Sequence, residues 1–121
     1  MGTLDESFAD VVPSAHLIKH NEQPSRIFIK SFGKFWGLAG LRVGFVIGAG
    51  PAGSNLRERL GPWPVGGAAI RTATKALGDN DWARNARSRL KSDADRLDQL
   101  VSSHAAALVG GCDLFRLYEV D

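Results

Sequence analysis

The sequence has one cysteine and no apolar run long enough to cross a membrane. A lone cysteine, Cys112, excludes an internal disulfide. A membrane-spanning helix needs about 18 consecutive apolar residues. The first ten residues also lack the basic start and the apolar stretch of a signal peptide. These absences predict a cytoplasmic protein.

An excess of charge of one sign is also missing. The chain of 121 residues has 15 basic and 13 acidic side chains, which leaves a formal net charge of +2. Such a small, interspersed balance predicts neither a nucleic-acid partner nor a membrane partner. The histidines have no cysteine cluster beside them, and we expect His16 and His20 on the surface rather than in a metal site.

The apolar pattern alternates between the two periods typical of strands and helices. Because β-rich runs and helical runs both occur, the sequence predicts an α/β fold. The long pattern after residue 79 predicts an amphipathic helix of almost thirty residues that stops at the glycine pair 110–111. We expect strands at residues 4–8, 26–31, 41–47 and 114–118, a weak helix at 14–20, and helices at 54–60, 68–77 and from 79 onward.

The densest chemical signal is a lysine loop that reads SFGKFWGLAGLRVG and spans residues 31–44. A lysine in a tight, glycine-rich and apolar loop is expected to be partly desolvated, which frees its amine as a nucleophile. Arg42 offers a forked donor and Ser31 a hydroxyl, while the glycines let the backbone approach an anion. The loop around Lys34 therefore suits an aldehyde that also carries a phosphate.

This segment resembles the lysine motif of fold-type I aminotransferases, which use pyridoxal 5'-phosphate (PLP), particularly the histidinol-phosphate aminotransferase branch. The resemblance implies that Lys34 binds PLP covalently and that Ser31 and Arg42 bind its phosphate. Upstream, the acidic motif at Asp5 resembles the strand end whose aspartate pairs with the pyridine nitrogen of PLP. A carboxylate there keeps that nitrogen protonated, which makes the ring a better electron sink.

One residue departs from the aminotransferase pattern, because Phe8 stands where that pattern has a tyrosine. This change, with the sequence LGPWP at residues 60–64, looks more like the threonine-phosphate decarboxylase branch of the same family. That likeness implies decarboxylation of L-threonine O-3-phosphate to aminopropanol phosphate in cobalamin biosynthesis. A histidinol-phosphate-type aminotransferase and a catalytically inactive fragment remain the alternatives.

The resemblance covers nearly the whole chain but only part of such an enzyme. It implies that residues 1–78 are the later part of an aspartate aminotransferase-like large domain, and that residues 79–121 open the small domain. We expect a three-layer αβα remnant with a long interdomain helix, taken from an enzyme that is a homodimer. Two strands would be central and buried on both faces in that enzyme, so we expect the chain alone to fold marginally or to self-associate.

A second motif competes with this interpretation. The segment GAGPAG at residues 48–53 matches the G-x-G-x-x-G fingerprint of dinucleotide-binding folds. That fingerprint expects an acidic residue about 20 positions later, at the end of a second strand. The sequence has no acidic residue between Glu58 and Asp79, and prolines stand where the strand should begin. We therefore interpret residues 48–53 as a surface turn that enters a helix.

Overall fold

The computed structural model of the chain describes residues 2–18, 26–48, 51–104 and 106–120. The chain divides into two compact units, Met1–Gly78 and Asp79–Asp121. This division falls where the sequence analysis places its domain border, and the assignment of the units to the domains of a larger enzyme stays a prediction. Within the described ranges, no helix is both long and apolar enough to cross a membrane.

The first unit contains a three-stranded mixed sheet built from β1 (Gly2–Asp5), β2 (Arg26–Ser31) and β3 (Gly44–Gly48). The central strand β2 pairs with β1 in parallel and with β3 in antiparallel orientation. The carboxyl ends of β1 and β2 therefore lie at the same edge of the sheet as the start of β3. Segments that leave or enter the sheet at this edge are brought close together.

Two helices follow the sheet, α1 (Pro51–Leu60) and α2 (Gly67–Gly78). The first begins earlier than the sequence predicts, because proline is well suited to the first helical position, where its missing N–H is not needed. The glycine-rich motif at residues 48–53 is only partly described, since residues 49 and 50 lie outside the described ranges. Its interpretation as a surface turn is wrong at the described positions, because Gly48 ends β3 and residues 51–53 already belong to α1.

Short 3-10 turns replace regular structure elsewhere in this unit. They span Ala9–Val11, Pro13–Ala15 and Ala39–Leu41. The weak helix predicted at residues 14–20 is wrong over its described part, where the 3-10 turn Pro13–Ala15 ends and the chain becomes extended at His16. The rest of that prediction, including His20, lies outside the described residues.

The core of the first unit is small and aromatic. Phe28 and Phe32 are fully buried, and Phe35 is nearly so. By contrast, Ile29 is 39% exposed and Val46 is 46% exposed. Burial of both strands on two faces was expected for the whole enzyme and stays a prediction, and among the described residues no layer covers the second face of the sheet.

The second unit contains α3 (Asn80–Ser102) and a hairpin of β4 (Ala106–Cys112) and β5 (Phe115–Val120). The helix begins where the sequence predicts, because the side chain of Asp79 accepts a hydrogen bond from the amide of Trp82 at 2.9 Å. Such a cap satisfies one of the amides that the first helical turn leaves without a partner.

The predicted length of this helix is wrong. The helix ends at Ser102 after 23 residues, and the glycine pair that was expected to stop it lies inside β4. Gly111 has a φ of 138°, and a Cβ atom there would collide with the carbonyl oxygen of Phe115. Glycine at this position thus allows two strands to approach each other closely, and it does not end a helix.

One carboxylate on α3 connects the helix to the hairpin. Asp98 accepts hydrogen bonds from the hydroxyl of Tyr118 at 2.7 Å and from Nε of Arg116 at 3.1 Å. These bonds, led by the one from Tyr118, lower the pKa of Asp98. Polar contacts therefore join the helix and the hairpin of the second unit.

Candidate functional site

Three of the four residues predicted for the site line one cavity. Ser31, Lys34 and Arg42 surround a volume of about 400 Å³ at the sheet edge where β2 ends and β3 begins. Pockets that hold small ligands have volumes of roughly 300–1,000 Å³. The chain reversal between the two strands therefore places a hydroxyl, an amine and a guanidinium around a space of suitable size.

The lysine turn, residues 32–36, holds Lys34 between two buried rings. Phe32 and Phe35 take the inward positions, and the Lys34 side chain is exposed. The expected desolvation of this amine is therefore wrong for this chain, because the aromatic neighbours occupy the apolar interior instead. The Lys34 ammonium lies 5.4 Å from the centre of the Phe8 ring, within the range of a cation–π contact.

Gly33 allows the two halves of the loop to approach each other. Its amide donates a hydrogen bond to the Ser31 hydroxyl at 3.1 Å. A Cβ atom on Gly33 would lie 3.2 Å from Cβ of Ala39, which begins the turn that leads to Arg42. The missing side chain thus allows Ser31 and Arg42 to line the same cavity.

Arg42 has an unusual backbone conformation. Its φ of 55° lies in the left-handed region, and its amide donates to the carbonyl of Ala39 at 3.2 Å. This region costs a non-glycine residue roughly 1–2 kcal/mol. Within the described ranges its exposed guanidinium has no carboxylate partner. Strain of this kind, in a residue with a free charged group, is typical of a binding site.

Asp5 lies outside the cavity lining but at the same edge of the sheet, at the end of β1. Its carboxylate is exposed and accepts a hydrogen bond from the amide of Ser7 at 2.8 Å. Hydrogen bonds from Ser7 lower the pKa of Asp5, against a smaller effect of burial, and the positive charge of Lys34 acts in the same direction. The carboxylate is therefore held in its charged form near Lys34.

A buried ion cluster beside this site was not predicted from the sequence. Asp10 accepts a hydrogen bond from Nζ of Lys30 at 2.7 Å and another from Nε1 of Trp36 at 3.1 Å. His16 joins Glu6 at 3.0 Å and Asp10 at 3.3 Å. The expectation that His16 is a surface residue is wrong, because two carboxylates hold its ring inside.

Glu6 anchors the segment that follows the first strand. Its carboxylate accepts hydrogen bonds from the amides of Leu17 and Ile18 at 2.7 and 3.1 Å. Burial alone would raise the pKa of Glu6, but the hydrogen bonds from His16 and from these amides outweigh it and lower the pKa. No spacing rule predicts these contacts, because they join residues ten or more positions apart.

Comparison with known proteins places these residues in a family context. The family model for aminotransferases of class I and II matches residues 3–112. A threonine-phosphate decarboxylase of Pseudomonas aeruginosa is 41% identical over 113 residues, which cover 93% of this chain and 34% of that protein. A threonine-phosphate decarboxylase of a Sinorhizobium species is 39% identical over 117 residues, which cover 96% of this chain and 34% of that protein.

A more distant similarity involves a different reaction. Histidinol-phosphate aminotransferase 2 of Archaeoglobus fulgidus is 28% identical over 94 residues, which cover 78% of this chain and 28% of that protein. The chain thus spans about a third of the length of the curated relatives it matches.

Proposed function

Because this chain belongs to the class I and II aminotransferase family, we propose that it carries the lysine-bearing part of a PLP-dependent decarboxylase. Enzymes of this family use PLP. The substrate we propose is L-threonine O-3-phosphate, and the product is aminopropanol phosphate for cobalamin biosynthesis. The observation that carries the proposal is the cavity that Ser31, Lys34 and Arg42 line together. The two decarboxylase relatives, at 41% and 39% identity, support this branch.

The residues present fit the cofactor. PLP has an aldehyde and a phosphate, and the cavity of about 400 Å³ offers an amine that reacts with the first and two donors that bind the second. The Lys34 amine is exposed, so it is accessible to the aldehyde. The carboxylate of Asp5 stands at the same edge and is held in its charged form.

Two side chains would hold the phosphate. Arg42 presents a planar fork of donors that matches phosphate oxygens, and the Ser31 hydroxyl adds a further donor. Both lie on the cavity lining, and the close packing at Gly33 sets the gap between them. The left-handed backbone of Arg42 is consistent with a residue held for binding rather than for stability.

Asp5 and Lys34 would serve the chemistry itself. The Asp5 carboxylate would accept a hydrogen bond from the protonated pyridine nitrogen and so keep the proton on that nitrogen. A bound PLP ring would supply the electron sink that loss of carbon dioxide from the substrate α-carbon requires. The Lys34 ammonium would return a proton to that α-carbon. The Phe8 ring beneath this ammonium has no hydroxyl, so it supports the charge without a hydrogen bond.

The whole enzyme would complete this site. We assign residues 1–78 to the C-terminal part of its large domain and residues 79–121 to the long helix and the opening of its small domain. We propose that it acts as a cytoplasmic homodimer. In that enzyme, further chain would cover the apolar side chains that this chain exposes.

Titration of the purified chain with PLP tests the role of Lys34. We expect a visible absorption band that borohydride makes permanent, and a cofactor-sized mass increase on the peptide that contains Lys34. Lys34→Ala should abolish both signals. Lys75→Ala is the matched control, since Lys75 is an exposed lysine on α2. Labelling that survives in Lys34→Ala would contradict the assignment.

A second candidate activity is amino transfer of the histidinol-phosphate type. The Archaeoglobus fulgidus relative favours it, at 28% identity. The two reactions differ in their products, because a decarboxylase releases carbon dioxide and needs no oxo acid. Assays of the PLP-loaded chain with L-threonine O-3-phosphate and with histidinol phosphate plus an oxo acid distinguish them. Oxo-acid-dependent turnover without carbon dioxide would overturn the decarboxylase proposal.

A further inference from the structure

Asp10 is a buried carboxylate whose two oxygens contact different parts of the first unit. Its side chain belongs to a residue only 8% exposed. Oδ1 accepts from Nζ of Lys30, on the central strand, at 2.7 Å, and lies 3.3 Å from Nε2 of His16. Oδ2 accepts from Nε1 of Trp36, in the lysine turn, at 3.1 Å. A single side chain thus joins the sheet to the turn that carries Lys34.

Trp36 transmits this contact to the backbone around Lys34. Its ring stacks on Phe32, with centroids 5.6 Å apart and planes at 13°. It also meets Phe35 edge to face at 5.2 Å and 81°. Phe32 and Phe35 flank Lys34 on both sides and are both buried. The position of the Trp36 indole therefore decides where the lysine turn lies.

The other side of Asp10 controls the segment that faces the amine. Asp10 belongs to the short turn Ala9–Val11, in which the amide of Val11 donates to the carbonyl of Phe8 at 3.2 Å. Phe8 is the ring over which the Lys34 ammonium lies. Moving Asp10 relative to Trp36 therefore moves Phe8 relative to Lys34.

We propose that Asp10 is a positioning residue that, through Trp36, sets where the Lys34 amine lies relative to Phe8. Lys30 compensates the charge of the carboxylate, which allows Asp10 to be buried at this junction. A hydrogen bond to a carboxylate is stronger than one between neutral groups, so it suits a fixed distance between two segments. The consequence for PLP binding rests on the proposed role of Lys34.

Three substitutions separate positioning from general stability. Asp10→Asn keeps the shape of the side chain and removes its charge. Trp36→Phe removes the Nε1–H donor and keeps an aromatic ring against its neighbours. Asp95→Asn is the control, because Asp95 is an exposed carboxylate on α3 that pairs with Lys91 at 2.9 Å.

The first measurement needs no cofactor. Because the Lys34 ammonium lies 5.4 Å from the Phe8 ring centre, we expect the ring current to shift the proton resonance of the Lys34 ε-methylene group, and Phe8→Leu gives the value without the ring. We expect Asp10→Asn and Trp36→Phe to move this resonance toward that value, and Asp95→Asn to leave it in place. An unmoved resonance in folded Trp36→Phe overturns the proposal. Failure of Trp36→Phe to fold overturns it as well, because the contact would then be structural.

The second measurement is the PLP concentration that half-saturates the Lys34 adduct. We expect it to rise about tenfold in Asp10→Asn and in Trp36→Phe, as loss of one hydrogen bond to a charged group allows. Asp95→Asn should not change it. Equal half-saturation in all chains overturns the proposal. Failure of the unsubstituted chain to form an adduct contradicts the proposed function instead, and the resonance shift still decides the role of Asp10.

Discussion

Replacing Gly33 by alanine should push the lysine turn away from the turn that carries Arg42. The added Cβ would lie 3.2 Å from Cβ and 3.3 Å from Cα of Ala39, and 3.5 Å from the Ser31 hydroxyl. The two contacts with Ala39 are tighter than ordinary packing. Ala39 is held by the hydrogen bond from the Arg42 amide, so it can yield only if Arg42 moves as well.

The size of this effect follows from two opposing contributions. Adding a methyl group to a well-packed site costs about 1–3 kcal/mol of folding free energy. Alanine also restricts the unfolded chain, which contributes about 0.4–1 kcal/mol in the opposite direction. Gly40→Ala has the second contribution alone, because its Cβ would meet no atom within 4 Å. The difference between the two variants is therefore about 1–3 kcal/mol.

Urea unfolding followed by circular dichroism measures this difference, because midpoints are comparable when the slopes agree. We expect Gly33→Ala to unfold at lower urea than Gly40→Ala. PLP titration of the same chains should show weaker binding only for Gly33→Ala, since the phosphate donors separate. Equal midpoints and equal PLP binding in the two variants would refute the packing argument.

Three further predictions concern other parts of the chain. Folding lowers the pKa of Glu6 from 4.5. The charged Glu6 carboxylate therefore stabilises the folded chain above pH 4.5, and this stabilisation is lost as the pH falls through 4.5 and below the folded pKa. In Glu6→Gln the urea midpoint of unfolding should therefore fall less steeply as the pH is lowered. A pH profile equal to that of the unsubstituted chain would contradict this. Asparagine tolerates the left-handed backbone at residue 42, but Arg42→Asn should weaken PLP binding roughly tenfold or more because the phosphate loses its forked donor. An unchanged PLP concentration at half-saturation would count against the phosphate role of Arg42. The exposed apolar side chains should make the chain self-associate in sedimentation, and a monomer with a sharp unfolding transition would disprove this.

The positions of most strands and helices were predictable from local patterns, but the C-terminal end of α3 and the strand β4 that follows it were not. The apolar period of the helix continues past residue 102, so the sequence alone predicts a longer helix. Pairing with β5 across the hairpin turn, from Cys112↔Phe115 to Ala106↔Val120, favours a strand over the residues that follow. The glycine pair 110–111 is compatible with a helix end and with a strand. Only the close approach of Gly111 to the partner strand decides for the strand.

The sequence by itself determined the chemistry available to the site. The order and spacing of Ser31, Lys34 and Arg42 are local, and the strand patterns on either side predict a loop between them. The assignment of Asp5 rests on the resemblance of its acidic motif to the strand end of the aminotransferase family. These features depend on residue type and on short-range geometry, which the sequence states directly.

Only the tertiary structure decided the surroundings of that site. The exposure of Lys34 depends on Phe32 and Phe35 taking the buried positions. The burial of His16 depends on carboxylates six and ten positions away. The junction at Asp10 joins three segments that are separate in the chain. Such contacts arise from how the segments pack against each other, and no local pattern of residues encodes that packing.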